Sequence, residues 1–274
     1  MHRAIAGTLT SAMILTGASD ACRAQQKTVK NQSGQTAGTG TGLEMLPAEL
    51  ARRLAERERE IEALGLLDAE KVPKGVARIT TMWGPGYKEL KVCFLANGST
   101  QATRAKVAGI ARAWNDAVPG LPFNFGSLSN PTVCGGRTRG EVQVRVSFDP
   151  GGSWSLSGSQ SVEMAKQGEA SLNIDGDMVK RAAGDGELRQ TVLHEFGHAY
   201  GLEHEHQHPA KACDSEYDWA AIYRIATGPP NNWSRAEVKE QMARLGKQGL
   251  MTTEFDRSSV MLYHFPPDYF VKKT

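Results

Sequence analysis

An α/β (α+β) fold is predicted by three features of the sequence: strand-like stretches at Lys91 to Leu95 and Glu141 to Phe148, helical periodicity between and after them, and fading periodicity beyond Pro209. The 274 residues suit one domain of roughly 200 residues with an N-terminal appendage, large enough to bury a single substantial core. Apolar residues make up 40% of the chain and the formal net charge is +2, so the composition is ordinary and the charge offers no footing for nucleic acid. No apolar run is long enough to span a membrane as a helix.

Residues 1–24 read as a secretory signal peptide. His2 and Arg3 lead into a modestly apolar run from Ala4 to Ala18, and small residues follow with Ala21 or Ala24 as the cleavage point. The competing readings are a disordered N-terminus and, ranked lower, a lipoprotein leader at Cys22, for which Ser19-Asp20-Ala21 is a poor lipobox. Residues 25–42 are polar and glycine-rich and read as a flexible tether. From Pro47 to about Leu67 the chain turns helical, with Leu46, Leu50, Leu54, Ile61 and Leu64 at helical spacing among alternating Arg and Glu. The segment 25–75 is thus a linker plus a charged helix: either a propeptide removed on maturation, or a stalk or docked helix.

The main domain is placed at 76–274. Lys91 to Leu95 is a strand, and Thr100 to Val118 is an amphipathic helix through Ala105, Ile110, Ala113 and Trp114. Pro119 to Pro131 is loop, punctuated by Gly and Pro. Glu141 to Phe148 alternates Val142, Val144, Val146 and Phe148 with polar residues, the period of a half-buried strand. Ser153 to Ser157 is a sheet-edge candidate that either meets solvent or takes an extended peptide as an added strand. Ala170 to Ile174 is a further strand. Asp185-Gly186 opens a helix with Glu187 in its first turn. Beyond Pro209, Asp218 to Ile225 is a short helix, and Ser234 with Glu237 forms a capping box opening a helix to about Gly246.

The helix from Asp185 carries the chemistry. Residues 194–204 read His-Glu-Phe-Gly-His-Ala-Tyr-Gly-Leu-Glu-His. His194 and His198 fall one turn apart on one helical face, so both imidazoles reach one metal ion, with Glu195 beside it to hold a water. Gly201, free to adopt positive φ, turns the chain so that His204 returns to the same point. Three neutral imidazoles leave a tetrahedral zinc one open position, the catalytic arrangement. The plain alternative is a metal-scavenging histidine run continued by His206 and His208, but such a run has no need of Glu195 or Gly201. Leu188, Val192, Phe196 and Ala199 form a separate apolar face that packs.

These residues resemble the metzincin zinc metallopeptidases. Ser259-Val260-Met261-Leu262-Tyr263 resembles the Met-turn of that clan, and a tyrosine two residues after the methionine resembles the astacin-like proteins. The run from Gly201 to Pro209, with Glu205 after the third histidine, also resembles astacin-like proteins, although no maturation switch of the astacin or matrixin kind is found. The resemblance implies a metzincin-like architecture: a twisted mixed sheet, an N-terminal helix, a zinc-motif helix, and a small irregular C-terminal subdomain.

It further implies one catalytic Zn2+ held by His194, His198 and His204, with Gly201 and Met261 supporting the site and Met261 not touching the metal. His206 and His208 are expected at the surface or behind the ligands, and Glu205 in a buried salt bridge. The implied activity is that of a secreted or periplasmic endopeptidase on protein or peptide substrates, with Glu195 as the base and Tyr263 stabilising the oxyanion. Two other readings stay open, a zinc hydrolase acting on a non-protein amide and a non-catalytic peptide-binding module. For an exported chain, one disulfide among Cys93, Cys134 and Cys213 is expected, with one thiol left over.

Overall fold

The computed structural model describes Cys22 and residues 46–64, 75–137, 140–181, 185–210, 213–229, 232–263 and 265–271. Apart from Cys22, the expected signal peptide and the tether at 25–42 lie outside the described residues.

A five-stranded mixed sheet forms the centre, in the order β3 (Phe123–Asn124), β2 (Leu90–Phe94), β4 (Val144–Ser147), β6 (Leu172–Asn173), β5 (Trp154–Ser155). The first four run parallel and β5 is antiparallel at the margin. Register decides which side chains share a face. Val92, Phe94, Val144, Val146 and Leu172 line one face, together with Ser155; Cys93, Arg145, Ser147, Asn173 and Trp154 line the other.

The apolar face is covered by α2 (Gln101–Ala111) and α6 (Asp185–Tyr200), the helix that bears the histidine motif. Val107, Ala108 and Ala111 of α2 join Leu188, Val192, Phe196 and Ala199 of α6 in one buried cluster with the strands. Thr100 caps α2 as a full capping box with Thr103. The expected single helix to Val118 breaks at Arg112 and resumes as α3 (Ala113–Ala117). There Trp114 donates its indole N–H to the Leu193 carbonyl of α6 at 2.9 Å.

The opposite face is covered as well, which corrects the expectation of a half-buried β4: all four of its residues are buried. Here α1 (Ala48–Leu64) and α4 (Gln160–Glu163) lie over Leu156, Ala165 and Trp154, with Leu50 only 1% exposed. Arg145, 1% exposed, stays polar beneath them by donating to the carbonyls of Glu169 and Ser161 at 2.7 and 2.9 Å. Between Pro119 and Pro131, expected as loop, the two-residue strand β3 forms because the Asn115 side chain bonds both main-chain groups of Phe123. That contact is tertiary and leaves no local signal.

The C-terminal part is small and irregular. α5 (Gly176–Arg181) precedes the motif helix, and α7 (Trp219–Ala226) and α8 (Arg235–Met242) follow it. Asp218 caps α7, and Ser234 with Glu237 forms the expected capping box on α8, which stops at Met242 and not at Gly246. Tyr217, Ile222, Trp233, Val238, Met242, Leu262 and Tyr269 make a second core. β1 (Val76–Arg78) pairs antiparallel with β7 (Leu250–Thr252), and Ala77 also bridges Leu202 beside the motif. All four cysteines are bonded, Cys93 to Cys134 and Cys22 to Cys213, so no thiol is left over. A leftover thiol follows only if Cys22 leaves with the signal peptide, and here Cys22 is the partner of Cys213.

Candidate metal centre

The motif helix and the turn after it bring His194, His198 and His204 together, each buried, with one nitrogen of each within 4.8 Å of the others. The helix supplies the first two from one face. The third arrives because α6 ends at Tyr200 and Gly201 takes φ +101°, a conformation open to glycine at no steric cost. The Gly201 N–H bonds back to the His198 carbonyl at 2.7 Å, and Glu203 N–H then bonds the Val76 carbonyl at 2.7 Å, holding the returning strand against β1.

Two carbonyls orient the rings. His194 Nδ1 lies 2.7 Å from the Val260 oxygen and His198 Nδ1 lies 2.6 Å from the Leu202 oxygen. An acceptor there requires Nδ1 to carry the proton, which leaves the Nε2 lone pair for a metal. His198 Nε2 lies 3.1 Å from His204 Nε2. Nitrogens about 2.0–2.1 Å from one tetrahedral zinc stand roughly 3.3 Å apart, so the donor set fits a single zinc ion.

Glu195, 2% exposed, is buried beside the first ligand. Tyr263 places its ring against two ligands, with centroids 4.9 Å from His194 and 4.5 Å from His204. Met261 is buried in a small cluster with Ala77 and Leu202, below the helix that bears the ligands. Gly197 explains that position: a Cβ there would run into Met261 Sδ and lie 3.2 Å from Trp114. The glycine inside the motif was not singled out in the sequence, and its only signal is that it occupies the turn between two ligands.

His206 and His208 are not surface residues, and His206 stands behind His204, ring on ring with centroids 5.1 Å apart. They are 0% and 1% exposed, and their Nε2 atoms meet the carbonyls of Gln241 and Thr253 at 2.9 and 3.0 Å. They pin the post-motif loop to the last turn of α8 and to the residue after β7. Glu205 is fully buried and accepts the Asp256 main-chain N–H at 2.8 Å. Burial pushes its carboxyl up to about 7, against the downward pull of that N–H.

β5 lies at the sheet margin, as the Ser153 to Ser157 stretch suggested. Leu156 N–H bonds the Ser171 carbonyl, so the main-chain groups of the preceding Ser155 face away from the sheet. Three residues further on, Gly158 N–H donates to the His198 carbonyl at 2.8 Å and joins this margin to a ligand. Among the described residues, no helix is long and apolar enough to cross a membrane.

No family profile and no curated protein matches the sequence. Among solved structures, the chain is similar to myroilysin, with a TM-score of 0.59 and 29% identity over 73% of this chain and 88% of that one. A looser likeness is to high choriolytic enzyme 1, a hatching-enzyme zinc-protease from the medaka fish Oryzias latipes, at TM-score 0.40 and 16% identity over 72% and 78% of the two chains.

Proposed function

We propose that this metzincin-like, astacin-like chain, whose three-histidine centre takes one catalytic zinc, is a secreted zinc-dependent endopeptidase. The observation that carries the reading is the convergence of His194, His198 and His204 with buried Glu195 beside them. The two disulfides support an oxidising, extracytoplasmic setting.

When bound, zinc supplies a Lewis acid that lowers the pKa of water toward neutrality and polarises a carbonyl. The chain does the rest. The carbonyls of Val260 and Leu202 hold two ligand rings in the tautomer that binds. An extended peptide adds along the outward main chain of Ser155, which lays a scissile bond across the centre. Glu195 takes a proton from the attacking water and returns it to the leaving amine. The Tyr263 hydroxyl donates to the oxygen that gains charge in the transition state. No covalent enzyme intermediate is needed.

The test is digestion of casein by purified protein, with and without a zinc chelator and with Glu195→Gln as control. Chelator-sensitive cleavage absent from the variant supports the reading. Absence of cleavage by zinc-loaded wild type overturns it.

A further inference from the structure

The N-terminal helix α1 is rich in Arg and Glu, and its contacts lie with the segment from Trp154 to Glu169. Ser155 shares its sheet face with Leu172 and Val146, the face covered by the motif helix. Trp154 and Leu156 therefore point to the opposite face, and it is there that Leu50 of α1 is buried, against Leu156 and Ala165. The polar contacts agree. Arg53 Nη2 donates to both carboxylate oxygens of Glu169 at 2.9 and 2.8 Å, and Nη1 donates to the Met164 carbonyl. Arg57 reaches Glu163 at 3.9 Å, and Lys166 reaches Glu49 at 3.8 Å. Each partner lies between residues 154 and 169, and the apolar ones, Leu156 and Ala165, form a buried cluster separate from the one that holds the motif helix.

A second anchor is covalent. Cys22 is bonded to Cys213 in the C-terminal core and is 7% exposed there, and its main-chain N–H lies 3.5 Å from Glu216 Oε1. The sulfur so engaged is not free to accept a lipid. A chain held through Cys22 at one point and through α1 at another stays attached even when it is cut between α1 and β1.

We propose that the segment carrying Cys22 and α1 is a retained structural layer of the folded protein, locked by the Cys22–Cys213 bond to the C-terminal core and by Leu50 and Arg53 to the back of the sheet. It is not an inhibitor to be displaced. Retention does not depend on the proposed peptidase activity and is read on the gel without it; only the casein measurement rests on that reading.

The experiment uses the full exported chain with a recognition sequence for a site-specific protease inserted between Leu64 and Val76. After cutting, the two fragments should migrate together on a non-reducing gel and separate after reduction by dithiothreitol, whose two thiols close to a cyclic disulfide as Cys22 and Cys213 become thiols. N-terminal sequencing should read Cys22 or an earlier residue. In a Cys22→Ser/Cys213→Ser background the cut fragments should still co-elute in gel filtration, and adding Leu50→Asp should release the helix. Casein hydrolysis should change less than twofold on cutting. Separation of the wild-type fragments without reductant, an N-terminus at Gln25, or a tenfold rise in hydrolysis on release of the helix each overturns the proposal. The wild-type gel decides it even where the cysteine variant fails to fold.

Discussion

The Nε2 atoms of His198 and His204 face each other across 3.1 Å. Because His198 donates its Nδ1–H to the Leu202 carbonyl, its Nε2 presents a lone pair toward His204, at a spacing that suits two nitrogens on one zinc.

His204→Ala should therefore weaken zinc binding by more than the roughly 10- to 100-fold that follows from losing a partner behind a ligand. Metal analysis after gel filtration checks this against a wild type that keeps one equivalent. Wild-type-like retention of zinc by the variant would remove His204 from the ligand set.

Glu195→Gln should preserve zinc content and thermal stability while lowering kcat by about 10²–10⁴-fold, the usual range for a general base. Steady-state peptide hydrolysis across pH measures it. A variant with full turnover would take Glu195 out of the proton transfer.

Tyr263 lies against His194 and His204, and its proposed task is to donate to the developing oxyanion. Tyr263→Phe keeps the ring packing and should lower kcat by about 10²-fold with little change in KM or zinc affinity. An unchanged kcat would leave the residue a packing role only.

Gly197→Ala should destabilise the protein by about 1–3 kcal/mol, because the added methyl meets Met261 Sδ with Trp114 behind it. Denaturant titration reads the change, and Gly197→Ala/Met261→Ala should recover part of it. Equal stability of the single variant and wild type would mean that the methionine yields freely.

Acid should loosen α1 before the rest. Burial alone would raise the Glu169 carboxyl, but the Arg53 hydrogen bonds and the Lys166 N–H outweigh it and hold the group below its ordinary value of 4.5. A carboxyl depressed in the folded state stabilises above the unfolded value, and that contribution is lost as pH falls through the lower folded value. Hydrogen exchange in α1 should accelerate selectively as pH drops below 4.5, after correction for intrinsic rates, and Glu169→Gln should reduce the dependence, leaving the part due to Glu49, whose carboxyl the Arg52 hydrogen bond also lowers. Exchange in α1 that tracks the sheet at every pH would count against this pair as the anchor.

Local chemistry settled much of this protein in advance. His194 and His198 lie one turn apart on any helix, Gly201 is suited to the turn after them, and Thr100, Asp218, Ser234 and Glu237 announce their helix starts. The convergence of the three histidines is legible because helical geometry fixes the spacing of two and a glycine the return of the third.

What tertiary structure alone decided involves partners distant in the chain. Only packing made β4 buried on both faces, joined Cys22 to Cys213 across 191 residues, turned His206 and His208 inward to Gln241 and Thr253, and put Leu50 of α1 against Leu156 and Ala165. A periodic pattern states that a face will be covered but not by what. The covering residues lie many positions away, so nothing in the local sequence names them.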